Sequence, residues 1–358
     1  MKILDKYIIR KFLGTFFLSL ALIILIAVVF DISEKLDDFI ERKAPLKAIV
    51  FDYYFNFIPY FANLFAPLFV FISVIFFTAR MAANVEIVAI LNSGVSFRRL
   101  LFPYFIAAGV LASLSFYFNG WVIPHSNKIK LDFENVYIKN PVEFKDRNLH
   151  RQISPGVFMY MESYNNKENI GYRFSLEKID EGKRTWFLNS EKIQWDSVSA
   201  KWKIYNYYIR KINGFHEQIE SGLRKDTVFK IKPSDFRRRL NIIEAMDSPA
   251  LERFIREEQQ QGSANVTAFL VEKYRRIALP FSTFILMLIG VSLSSRKIRG
   301  GIGAQLGLGI FLSFTYILFI QISNTFAING SITPVLAVWI PNVIFAIVAA
   351  YLVRIAPK

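Results

Sequence analysis

Three histidines, His125, His150 and His216, are the first residues to test for chemistry, and their spacing offers none. No H-E-x-x-H pair sets two of them on one helix face for zinc. A phosphate loop needs G-x-x-x-x-G-K-[ST], and the glycine-rich GGIGAQLGLG at 300–309 lacks the lysine. No G-x-S-x-G turn exposes a nucleophilic serine. The absence of cysteine removes disulfides, Cys-ligated zinc and thiol catalysis. The long apolar runs carry ionisable groups only at their ends, which argues against a proton relay or an ion pathway. The expectation is no catalytic residue, no metal and no cofactor of its own.

Residues 81–96, MAANVEIVAILNSGVS, suggest recognition instead. Asn84 is a good N-cap, Glu86 falls in a first turn where the helix dipole favours an acid, and Gly94 is a natural stop. The spacing predicts a helix of about nine residues, with Ile87, Ile90, Leu91 and Gly94 on one face. Glu86, Ala89 and Ser93 share another, and Ser96 caps the helix that follows. Two readings stay open: an elbow resting on lipid head groups, or a tooth seated in a protein groove. A lipid-surface helix normally shows Lys and Arg on its polar face, whereas this one shows an acid and small residues.

The elements that must position this segment are apolar and long. Of 358 residues, 53% are hydrophobic, too many for an ordinary soluble globule. The runs Phe12–Phe30, Tyr53–Ala79, Leu100–Ile123 and Ile277–Ser295 are free of charge, and so is the whole of Gly300–Val353. Roughly 20 apolar residues cross a bilayer, so the last tract makes two crossings, broken at Asn329-Gly330 and Pro334. Six spans result, three on each side of a polar insert. The first run exceeds a signal-peptide core and lacks a small-x-small cleavage site, so a retained anchor is expected.

The net charge of +15 follows membrane topology rather than nucleic-acid binding. Basic residues gather at the N-terminus, at 80–99 (Arg80, Arg98, Arg99), at 296–299 and at Arg354 and Lys358, which marks those segments as cytoplasmic. The insert is then exterior. Its stretches 156–164, 170–179, 184–195 and 201–212 read as strands separated by turn residues, and Ser248-Pro249 to Gly262 reads as a helix. An antiparallel sandwich, jelly roll or partly open barrel is expected. The divisions are 1–123 for the first three spans, 124–270 for the exterior β-domain with its helical end, and 271–358 for the last three.

The whole chain resembles the lipopolysaccharide-export permease family LptF/LptG. The likeness rests on ILDKYIIRKFLGTF (3–16), NVEIVAILNSGVS (84–96), GWVIPHSN (120–127), EKYRRIALPFS (272–282), SSRKIRGGIGAQLGLGIFLSFTYI (294–317) and PVLAVWIPNVIF (334–345). The LDKYI opening leans towards LptG. The resemblance implies an inner-membrane permease of an ABC-type exporter, paired with a second LptF/LptG-type permease. An LptB-like ATPase dimer would bind the ATP, and a periplasmic jelly-roll domain would pass lipopolysaccharide to an LptC-like bridge. It makes Asn84, Glu86, Ile87, Ile90, Leu91 and Gly94 the ATPase-coupling residues. Lys35, Arg42, Lys43, Lys273, Arg275 and Arg276 become candidates for the anionic phosphates of the glycolipid. Phe65 and Phe69, in the phenylalanine-crowded second span, become candidates for binding lipopolysaccharide, with lipid-facing bulk as the competing reading of these rings. Self-pairing competes for two of these, because Asp31–Lys35 and Asp38–Arg42 are four residues apart. A reading of a different class is a membrane-anchored sensor or scaffold whose exterior domain binds a partner.

Overall fold

The structure, a computed structural model, describes residues 3–138, 145–165, 168–180, 182–214, 216–229, 231, 233, 240–263, 265–295 and 301–356. The basic 296–299 connector, Glu181 in one expected turn, and Lys358 lie outside them. The chain forms two compact units. One comprises Met1–Ile138, Glu244–Pro249 and Leu270–Lys358; the other comprises Lys139–Ile243 and Ala250–Phe269.

The first unit holds α1 (Ile3–Glu41), α2 (Leu46–Ala83), the short α3 (Glu86–Asn92) and α4 (Phe97–Tyr137). After the insert and its helix α5 (Ser248–Gln260) come α6 (Val266–Ser294), α7 (Gly301–Ile328) and α8 (Pro334–Ile355). Among the described residues, six helices (all but α3 and α5) are long and apolar enough to cross a membrane. The boundaries follow local chemistry. Gly330 adopts a φ of 78° after α7, and Pro334 opens α8 behind an extended Thr333, as the Asn-Gly and proline signals predict. The helices outrun the charge-free stretches. The third span continues past residue 123 to Tyr137, so the first unit reaches Ile138 instead of ending at 123. Two π-helical turns, Ile49–Tyr54 in α2 and Phe118–Val122 in α4, interrupt the regular register.

α2 is the hub. Its Val70, Val74 and Phe77 join Ile8, Phe12, Leu100, Tyr104, Met287 and Val291 in one buried cluster. Phe71 and Ile75 join Leu286, Tyr316 and Phe345 in a second. Glycines allow the close crossings. A Cβ on Gly290 would lie 2.9 Å from Val74, and one on Gly309 would lie 2.4 Å from Ile75. The outer helices are barer: 17% of the most apolar stretch of α1 and 22% of that of α7 is buried, against 61% for α6.

The second unit contains a six-stranded antiparallel sheet: β1 (Lys145–Ser154), β2 (Val157–Asn165), β3 (Ile170–Asp180), β4 (Lys183–Asp196), β5 (Lys201–Asn213) and β6 (His216–Thr227). Each strand pairs only with its sequence neighbours, so among the described residues the strand order is a meander. The expected inserted antiparallel all-β domain is therefore present. One face is apolar, built from Met159, Met161, Phe174, Leu176, Leu188, Ile193, Trp202 and Ile204. In β5 the inward set shifts from Trp202 and Ile204 to Tyr207 and Ile209. The shift occurs across Asn206, which has a φ of 47°, while the register with β4 and β6 is the same on both sides of it.

Candidate functional site

Two groups of residues stand out in the membrane unit. The first is the elbow between α2 and α4. α3 spans seven residues, Glu86 to Asn92. Its N-terminus departs from the expected capping. Val85, not Asn84, occupies the cap position, in a left-handed conformation with φ 63°. Asn84 ends α2 instead, and its Nδ2 donates to Glu86 Oε1 at 3.3 Å. A β-branched residue in that conformation is strained, and the surrounding packing must hold it there. The C-terminal end follows the sequence reading: Gly94 has φ 87°, and its N–H bonds the Leu91 carbonyl at 3.1 Å. A Cβ at Gly94 would meet no atom within 4 Å, so conformation and not space requires glycine there. Ser96 accepts from the Arg99 N–H and caps α4 as expected.

The faces of α3 have separate tasks. Ile87 is buried, and Ile90 and Leu91 pack against the cluster that α1, α2 and α4 build. The isoleucine face thus anchors the elbow to the chain's own core. The outward face consists of Val85 and Val88, 50% and 46% exposed, with Ala89, Asn92 and Ser93. Two ties to α1 brace this element. The Tyr7 hydroxyl donates to Glu86 Oε2 at 3.2 Å, and Arg99 grips the buried Asp5 through both oxygens at 2.8 and 2.9 Å. Neither tie is visible in sequence, because the partners are 79 and 94 residues apart.

The second group lies at the opposite ends of the helices. Lys35 sits 2.5 Å from Asp31 and close to the Tyr53 hydroxyl, while the Tyr54 hydroxyl donates to Asp31 at 3.1 Å. The i,i+4 alternative is thus realised at Lys35. Arg42 donates to the Val136 carbonyl at 3.4 Å, and Lys43 is exposed in the turn after α1 with φ 53°. On α6, Glu272 holds two of the expected cations at once, Arg275 at 2.6 Å and Arg276 at 3.0 Å. Arg276 also donates to the Met246 carbonyl at 2.7 Å. Glu272 was missed as a site residue. Its place in EKYRR, three and four residues before the arginines, was the signal that could have found it.

Arg275 and Arg276 border a cavity of about 340 Å³ lined by parts of α2, α4, α6 and α7 and by Glu244. Tyr60, Asn127, Glu244 and Glu272 line its polar part; Phe65, Leu279 and Ile317 are among its apolar residues. Burial pushes the Glu244 carboxyl upward, the charge on Glu272 adds to this, and Arg275 opposes it. Phe69 packs against the core cluster of α1 and α2. Phe65 and Phe69 are both only partly buried. The structure therefore gathers Arg275 and Arg276 at one cavity and places Lys35 in a separate cluster.

Six crossings around an inserted β-domain, with a small half-exposed helix between two of them, describe a multi-pass membrane protein of the permease class. Across residues 6–355 the sequence matches the family model described as lipopolysaccharide export system permease LptF/LptG, and the chain belongs to that family. The match is to the joint family and does not divide LptF from LptG. No individually curated protein matches the chain. Membership makes the chain a permease of lipopolysaccharide export in the inner membrane, working with a partner permease.

Proposed function

We propose that this permease is driven by a separate ATP-hydrolysing dimer, LptB-like, that seats under α3, as in an ABC-type exporter. In this reading both termini and α3 are cytoplasmic, and the β-domain is periplasmic. The basic segments beside α3 support that orientation. Closure of the ATPase pair pushes α3, and the push reaches the spans through the buried Ile87 face and the two ties to α1. Lipopolysaccharide held between paired permeases is then expelled outward to an LptC-like bridge. Strand addition at β6 is the proposed contact, since β6 is a sheet edge with Ile219 and Leu223 outward.

The observation that carries the reading is the division of α3 into a buried anchoring face and an exposed one. An elbow lying on lipid would turn its isoleucines to the bilayer; this one turns them to its own core. Charge reversal, Glu86→Arg, in the assembled complex is expected to leave ATP hydrolysis running while export falls at least about tenfold, the effect of about 1.4 kcal/mol of lost coupling. Unimpaired export would remove Glu86 from the coupling path. The scaffold reading predicts that the detergent-purified chain carries no stoichiometric ATPase; the exporter reading predicts that it carries one.

A further inference from the structure

The cavity beside Arg275 has polar groups that the protein leaves unfilled. Asn127, 2% exposed, donates through Nδ2 to the Glu244 carbonyl at 3.3 Å, while its Oδ1 has no partner among the described residues. The carboxylate of Glu244 accepts no hydrogen bond from the described residues either. Arg275 commits Nε and Nη2 to Glu272 and keeps Nη1. A buried acceptor without a donor costs about 1–3 kcal/mol, so a ligand or water must satisfy it. The unfilled set is two acceptors and one charged donor. The four charges that line it, Glu244, Glu272, Arg275 and Arg276, sum to zero, and Lys130 behind them also acts on Glu244. Leu64, Phe65 and Phe314 continue the wall as apolar surface.

We propose that this cavity holds the head group of a zwitterionic aminophospholipid of the phosphatidylethanolamine type. Its phosphate meets Arg275, its primary ammonium sits between Glu244 and Asn127 Oδ1, and its acyl chain follows the apolar wall. Three physical reasons select this class. A primary ammonium brings N–H donors to both open acceptors, which a choline head cannot do. A purely anionic head satisfies Arg275 but brings no donor to the two open acceptors, Glu244 and Asn127 Oδ1. The volume of about 340 Å³ lies near the lower end of the roughly 300–1,000 Å³ of small-ligand sites, suited to one head group and not to a bisphosphorylated disaccharide. All the residues that line the site belong to one chain.

The test is lipid retention by the purified exporter complex. The complex is equilibrated in nanodiscs containing equal parts phosphatidylethanolamine, phosphatidylcholine and phosphatidylglycerol, extracted into detergent, and its bound lipids are weighed by native mass spectrometry. Phosphatidylethanolamine is expected to be retained at least about fivefold over each of the others, a difference of about 1 kcal/mol. Glu244→Gln should abolish the preference over phosphatidylcholine, and Arg275→Gln should lower total retention. Equal retention of the three lipids, or preferential retention of phosphatidylglycerol or lipopolysaccharide, overturns the proposal. Soluble glycerophosphoethanolamine at millimolar concentration should leave the lipid in place; displacement by it would overturn the lipid assignment in favour of a free head-group site. No ATPase or export readout enters, so the outcome is independent of the coupling reading.

Discussion

At the scale of single residues, the pair Asp5–Arg99 shows how an acid survives burial. Asp5 is 1% exposed and accepts a two-point grip from a guanidinium, a geometry that a lysine cannot reproduce. Removing the fork while keeping the charge, Arg99→Lys, is expected to lower the unfolding temperature of the detergent-solubilised protein. Arg99→Ala should lower it at least as much. A melting point unchanged by either substitution would show the grip to be dispensable. Sequence signals at this scale divide by range. The acid at Glu86 and the stop at Gly94 were legible because helix ends are local; Gly94 needs only its own backbone angle. Asn84 misled because good capping chemistry also suits the end of the preceding helix, and the turn is taken at Val85 instead. The sequence left Lys35 between an open cation and a partner of Asp31 and read the α6 arginines as open; in each case the countercharge lies within about one turn of helix, and burial strengthens such pairing beyond its surface value.

At the scale of elements, the β4–β5 hairpin is held by Asp196. It accepts from Lys203 at 2.6 Å, from the Val198 N–H at 3.0 Å and from the Ser199 hydroxyl at 3.0 Å. These bonds, that from Lys203 foremost, hold its carboxyl well below the usual carboxylate range. A depressed folded value means the stabilisation is complete above the unfolded pKa near 4 and is lost as pH falls through the lower folded value. Asp196→Asn should therefore melt below the parent at pH 7, with the gap constant down to about pH 5 and closing only under more acid conditions. Fluorescence of Trp195 and Trp202, whose rings lie 5.2 Å apart beside this turn, reports the transition. A gap independent of pH would mean that ionisation of Asp196 does not contribute. Four of the six strands were legible from aromatic and β-branched alternation. β6, HEQIESGLRKDT, was not, because an exposed edge strand lacks a buried face to write the pattern.

At the scale of the whole molecule, the six crossings were legible because apolar length is a one-dimensional property that the bilayer reads directly. The order of strands in the insert was not, since the same turn-separated pattern serves a sandwich, a jelly roll or a meander. The chain lacks cysteine, so single introduced thiols report sidedness cleanly. Val198→Cys, at a residue 97% exposed, should react with an impermeant maleimide in intact cells, and Asn92→Cys only after lysis. Reversed labelling would invert the orientation on which the coupling reading depends.

The first two turns of α1 reach the elbow through Asp5 and Tyr7, so the start of α1 is a strap buckled across that elbow. An affinity tag or fluorescent fusion placed directly ahead of Asp5 would load that buckle, and one placed directly after Ile355 would press on Ala356, which is buried in the same core cluster as Ile8 and Ile87. Fusion placement is thus a functional variable for this protein, and a fusion at either end needs a spacer that leaves Asp5 and Ala356 in place.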